Sequence, residues 1–241
     1  MIALLLATLA LAGPRAAPGG NAADSFAAAG KAYEAGRLPE ARTRYERLLA
    51  VDEGGAAACY NLGNTWWRLN RRGQAVLWWE RARRLAPRDE DIRFNLALAR
   101  TAAQDDDLPV GDILDRLLTP VQLWWLVTAL AWAVGAASGA GLWRGLPPAR
   151  WRVALTCGLP ALALLGGWLA WRTADLARSR GVVDVPQVEV RSGPGDQFPV
   201  GFTIPDGHRV LVVNRRPGWI EIGVPARSLK GWVPVESIGE F

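Results

Sequence analysis

Few side chains in this 241-residue chain could do covalent or acid–base chemistry, and they are scattered. There is one histidine, His208, which follows Gly207 in what reads as a turn between strands. The two cysteines, Cys59 and Cys157, lie far from it along the chain. One imidazole with no nearby thiol offers neither a Cys–His dyad nor a zinc site. A Ser–His–Asp set stays open by counting alone, but there is no G-x-S-x-G elbow. The G-x-x-x-x-G-K-[ST] phosphate loop and the G-x-G-x-x-G strand–helix fingerprint are also missing. Asp105-Asp106-Asp107 is contiguous, whereas ion ligands converge from spaced positions, so it reads as a solvated linker. The expectation is a protein that is not an enzyme, with no catalytic residues, no metal site and no cofactor.

Binding is the chemistry that the residue types favour. The chain has thirteen tryptophans against three tyrosines, is 50% hydrophobic and has a mean hydropathy of +0.06, too apolar for an ordinary soluble domain of this size. The net charge of +5 is not a nucleic-acid signal once it is divided by segment. Residues 18–116 carry equal numbers of basic and acidic side chains, and much of the excess sits in the loop 144–152, as Arg144, Arg150 and Arg152. With no basic stripe on any folded segment, no nucleic acid is expected as a partner.

Apolar runs set the frame for these residues. Ile2 to Ala12 is an eleven-residue run ending in the A-x-A pattern Ala10-Leu11-Ala12. It reads as a signal peptide within 1–17, cleaved after Ala12 or after Ala17, although Met1-Ile2 supplies no basic n-region. Val121–Trp143 is a charge-free run of 23 residues and Val153–Trp171 one of 19. Each is long enough to cross the ~30 Å apolar core of a bilayer as a helix. Trp124, Trp125 and Trp143 on the first run, and Trp151, Trp168 and Trp171 on the second, fall where interfacial indoles sit. Pro160 inside the second run predicts a kink. Three arginines and no acid in the connecting loop predict that 144–152 is cytoplasmic and that both flanks lie outside. Ahead of the first run, in the linker 105–120, Val110, Ile113, Leu114, Leu117 and Leu118 have the spacing of a short amphipathic helix on the membrane surface.

On the N-terminal side, 22–55 and 56–89 align at a spacing of 34 residues. The second copy carries Leu62-Gly63, Trp66, Ala75, Trp79, Ala82 and Pro87; the first carries Gly36, Ala41, Tyr45 and Leu48, with Ala29 in place of the glycine and Glu53 in place of the proline. A third, partial copy with Phe94, Asn95, Leu96 and Ala97 supplies one capping helix, 90–104. This pattern resembles the tetratricopeptide repeat family. Ala41 and Ala75 are expected where two helices cross closely, and Tyr45 and Trp79 between repeats. The resemblance implies a concave, protein-binding face containing Phe26, Tyr33, Tyr60, Asn64, Trp67 and Arg68, continued by Asp91, Phe94 and Leu98. The alternative is that these aromatics only stack one repeat on the next. Some family members capture a C-terminal carboxylate on this face; here Phe26 and Asp91 stand where the lysines would be, so that mode is not expected.

Residues 181–241 change to short alternating segments, Val188–Arg191, Val210–Val213 and Trp219–Ile222, at the spacing of a small all-β barrel. The strings V-R-S-G-P-G (190–195), G-W (218–219) and G-W-V (231–233) resemble the bacterial SH3 domain family. That family implies ligand binding without catalysis, with Arg191, Trp219 and Trp232 as candidate groove residues, or as structural residues, and the two indoles divided between core and groove. The expected fold class is therefore a multidomain membrane protein. It comprises an α-helical tetratricopeptide-type repeat array (18–104), a two-helix transmembrane hairpin (121–143 and 153–171), a linker (172–180) and an SH3-like barrel (181–241).

The order of parts is similar to that of the BatE-like proteins of bacterial aerotolerance (Bat) operons. That resemblance implies a non-catalytic scaffold in the inner membrane with both modules facing the periplasm. It implies partners of the von Willebrand factor A and MoxR types besides the lipid bilayer. Peptidoglycan binding by the barrel, as an anchor or envelope-stress sensor, is the other expectation.

Overall fold

A computed structural model describes residues 20–103, 118–145, 147–224 and 229–241. The expected signal peptide, the Asp105–Asp107 stretch and the segment from Val110 to Leu117 lie outside the described residues. The chain opens with five helices: α1 (Gly20–Glu34), α2 (Leu38–Ala50), α3 (Gly55–Arg68), α4 (Arg72–Leu85) and α5 (Glu90–Ala103). The first three of these end alike. Gly36, Asp52 and Asn70 take positive φ, and the N–H of the next residue returns to a carbonyl inside the helix: Arg37 to Ala32, Glu53 to Leu48, Arg71 to Trp66. This left-handed cap satisfies the last carbonyls and reverses the chain, so each helix packs back on its predecessor.

Small residues let those helices approach. Ala29, Ala32, Ala41, Ala58 and Leu62 close around Tyr45 in a first core, and Ala75, Ala82, Ile92 and Leu96 around Trp79 in a second. Gly63 is fixed by that packing, since a Cβ there would lie 2.5 Å from the Trp79 indole.

Two long helices follow, α6 (Pro120–Trp143) and α7 (Pro148–Leu176), packed as a hairpin. Thr119 starts α6 with a capping box: its Oγ1 accepts from Gln122 N, and Gln122 Oε1 accepts from Thr119 N. Leu123, Val134 and Gly141 are buried on α6, while Trp125, Trp132 (76% exposed) and Trp143 (88% exposed) point outward. Helix α6 is long and apolar enough to cross a membrane. α7 runs through Pro160 without ending, and its C-terminal turns carry Arg172 and Asp175, both buried.

The rest is one antiparallel sheet of seven strands: β1 (Arg180–Val183), β2 (Gln187–Arg191), β3 (Val200–Pro205), β4 (Arg209–Arg216), β5 (Trp219–Val224), β6 (Leu229–Pro234) and β7 (Ile238–Glu240). Their order is β3-β2-β6-β5-β4-β1-β7. Ile204 of the edge strand β3 and Ile238 of the opposite edge strand β7 belong to one core with Val183, Val190, Ile222 and Val233. Edges that share a core require the sheet to curl on itself.

Candidate functional site

Three surfaces could carry function: the face of α1, α3 and α5, the outer face of the curled sheet, and the junction between them.

On the helical face, α3 contributes one side chain per turn. Asn64 Oδ1 accepts from Trp79 Nε1 (3.0 Å) and from Asn95 Nδ2 (2.9 Å), and Asn95 Nδ2 also lies 3.3 Å from the Tyr60 hydroxyl. Trp67 packs on Trp79 with ring centroids 5.4 Å apart. Tyr60, Asn64 and Trp67 therefore bind α3 to α4 and α5. Phe26 meets Tyr45 edge-on at 5.7 Å. The Arg68 guanidinium lies 4.8 Å over the Tyr33 ring and donates to the Tyr33 carbonyl at 2.9 Å, joining α3 to α1. What stays open to a partner is Arg68 at one end and, on α5, Phe94 (68% exposed) and Leu98 (49% exposed) at the other. Burial pushes the Cys59 thiol up, so it is no nucleophile at neutral pH, and both cysteines are free.

On the sheet, alternation decides which side each residue takes. Ile220, Ile222 and Val224 of β5 and Val233 of β6 face the core. Trp219 and Trp232 take the other side, so neither indole is divided between core and groove as the sequence led us to expect. In register, Arg191 pairs Trp232, Trp232 pairs Glu221, and Trp219 pairs Pro234. The three candidate residues thus share one outward face of β2, β6 and β5. Arg191 is also a tie: its Nη1 donates to the carbonyls of Asp196 (3.0 Å) and Phe198 (2.9 Å), and its Nη2 to Glu189 (2.9 Å), holding the β2–β3 turn.

The junction escaped the sequence reading. Helix α4 lies against the outer side of β1 and β7. Val182 enters the α4 core, and Phe241 packs there with the Arg84 guanidinium 5.0 Å from its ring. Gly73 abuts the backbone of β1 so closely that a Cβ would lie 2.3 Å from the Val183 carbonyl oxygen. Arg81 Nη2 donates to the Glu240 carbonyl at 2.8 Å, and Gln74 Nε2 to Asp184 Oδ2 at 2.9 Å.

At the centre sits Glu80, with no exposed surface. Arg83 Nε donates to its Oε2 at 2.8 Å; Arg100 and Arg209 approach Oε1 at 3.6 Å. Burial alone would raise this carboxyl, but the guanidiniums of Arg83, Arg209 and Arg100 outweigh it and hold Glu80 below the usual carboxylate range. One carboxylate thereby joins α4, α5 and β4. The only sequence signal was an acid beside Trp79 in an arginine-rich helix; its partners come from distant segments. His208, also buried, bears its carbonyl toward Val183 N at 3.0 Å. Among the described residues, no group of His, Cys, Asp and Glu converges as a metal site would require.

The described surfaces present exposed aromatic and arginine side chains of the kind that serve recognition. No protein-family model matches the chain, and no curated protein matches it.

Proposed function

We propose that this protein is a non-catalytic membrane scaffold whose tetratricopeptide-type repeats and SH3-like barrel act as one docking body on the outer side of the membrane, as in the aerotolerance systems its part order resembles. The observation that carries this reading is the junction. Glu80 and its three guanidiniums lock the helical layer to the sheet while leaving Phe94 and Leu98 exposed and Trp219 and Trp232 half-buried on the outer face of the sheet.

Two contacts at the ends of the long helices support it. Arg88 Nη2 donates to Gln122 Oε1 at 2.7 Å, tying the α4–α5 turn to the first turn of α6. Where the hairpin returns, Arg180 of β1 donates to Asp175 of α7 at 2.7 Å. The beginning of α6 and the end of α7 therefore meet the same body. If both helices span the bilayer, the repeats and the barrel share one side, and the Arg144–Arg152 loop draws its own side to the cytoplasm. Outward Trp125, Trp132 and Trp143 are then covered by lipid. Partners of the von Willebrand factor A and MoxR types follow from the resemblance.

Photo-crosslinking from Phe94 and Leu98 in native membranes tests the scaffold. A discrete membrane-protein adduct, lost in the double variant F94D/L98D, is the expected result; absence of any adduct from either position rejects the reading. A second reading, peptidoglycan-peptide binding by the barrel, rests on Trp219 and Trp232 sharing the outward face. Retention of the full chain on purified sacculi, abolished by W219A/W232A, would favour it over protein docking.

A further inference from the structure

We propose that the cleft between the α3–α4 turn and the barrel binds an extended peptide segment that carries a carboxylate. It is a site separate from the two surfaces above and does not depend on the scaffold reading. The cleft has two adjoining lobes, of about 460 and 420 Å³, that share Arg71 and Asp184. Neither module makes it alone. The helical wall supplies Arg42, Trp66, Arg71 and Arg72, and the barrel wall supplies Asp184 and Asp206 from the turns after β1 and β3.

The helical wall is rich in unspent donors. Arg71 and Arg72 are exposed at the start of α4, where helix polarity adds to their positive field. The Arg42 guanidinium lies 5.2 Å over the Trp66 ring, a stacking that keeps it oriented and weakly hydrated. Arg42 Nε already faces the Glu46 carboxylate at 3.7 Å, whereas Trp66 Nε1 is a buried atom with no hydrogen-bond partner. Buried donors are normally paired, so the Trp66 indole marks where an acceptor oxygen belongs. The opposite wall carries carboxylates, which accept hydrogen bonds and repel a polyanion. A ligand that fits both presents acceptors and negative charge along one edge and N–H donors along the other. An extended peptide with an acidic side chain or a free C-terminus has that pattern; a polyphosphate or a nucleic acid lacks the second edge. Small-ligand sites also favour boundaries between modules.

The test uses the full chain in lipid nanodiscs and two fluorescein-labelled, C-terminally amidated pentapeptides, Ala-Asp-Ala-Glu-Ala and its neutral counterpart Ala-Asn-Ala-Gln-Ala, with binding read by anisotropy. The acidic peptide is expected to bind at least tenfold more tightly. R71A/R72A, both exposed positions that leave the fold intact, is expected to remove that preference, and W66F to weaken binding severalfold. R144A, in the distant loop, should leave it unchanged. Equal binding of the two peptides, or an unchanged preference in R71A/R72A, overturns the proposal. Displacement of the acidic peptide by inorganic phosphate at concentrations where unlabelled peptide also displaces it would reveal a general anion site and overturn it as well.

Discussion

Replacing Glu80 with Gln keeps the size of the side chain and removes the buried charge that Arg83, Arg100 and Arg209 share. Breaking a buried ion cluster in this way costs about 3–5 kcal/mol. We expect E80Q to lower the thermal midpoint of the full chain in detergent and to loosen the barrel before the α1–α2 hairpin. The pH dependence has a defined sign. A carboxyl held low in the folded state contributes stability above its unfolded value, ~4.3, and loses it only as pH falls through the depressed folded value. Acidification from pH 7 to 5 should therefore leave the junction closed, checked by near-ultraviolet dichroism. Asp184 runs the other way. Burial raises its carboxyl, so its charged form opposes folding above the folded value and the penalty fades as pH falls through it. D184N, which still offers an oxygen to Gln74, should raise the midpoint at pH 7 and converge on the wild type near pH 4. A midpoint difference that grows on acidification would contradict this account.

At the scale of elements, α4 does two jobs that the sequence advertised as one. Its inner face, Ala75, Trp79 and Ala82, follows the repeat spacing and was legible for that reason. Its other side, Gly73, Leu77 and Glu80, meets a sheet that begins about a hundred residues later, and nothing local encodes that contact. We expect G73V to push β1 away: hydrogen exchange at Gly181–Val183 should accelerate while the amides of α1 and α2 keep their protection. The same distinction governs the sheet. The change to alternating patterning near Arg180 was visible, because a period of two is a property of each strand. The side taken by each indole was not, because it depends on register, and a single-residue slip would have exchanged Trp232 for Val233 in the core. On the helical face the aromatics stand out in the sequence, but the hydrogen bonds that commit Asn64 to Trp79 and Asn95 depend on packing between helices. The exposure of Phe94 and Leu98 follows from α5 packing chiefly on α4 among the described residues.

The molecule as a whole makes a topological prediction. Reporter fusions just ahead of α1 and at Phe241 should be active on the same side of the membrane, and the chain should resist alkaline extraction. Opposite sides, or release by alkali, would dismantle the hairpin reading. One feature carries this further. α7 spans 29 residues, and only three, Ala177, Arg178 and Ser179, separate it from β1. At 1.5 Å per residue the helix is about 43 Å long, so a 10° change in tilt sweeps one end through about 7 Å. The barrel receives that displacement through the chain, while α4 resists it through side chains alone. If α7 crosses the bilayer, as proposed above, the junction acts as a mechanical fuse between bilayer and sheet. Reconstitution into lipids of decreasing acyl length increases helix tilt. It should lengthen the spin-label distance between α4 and β7, and a distance indifferent to bilayer thickness would mean that the lever turns freely.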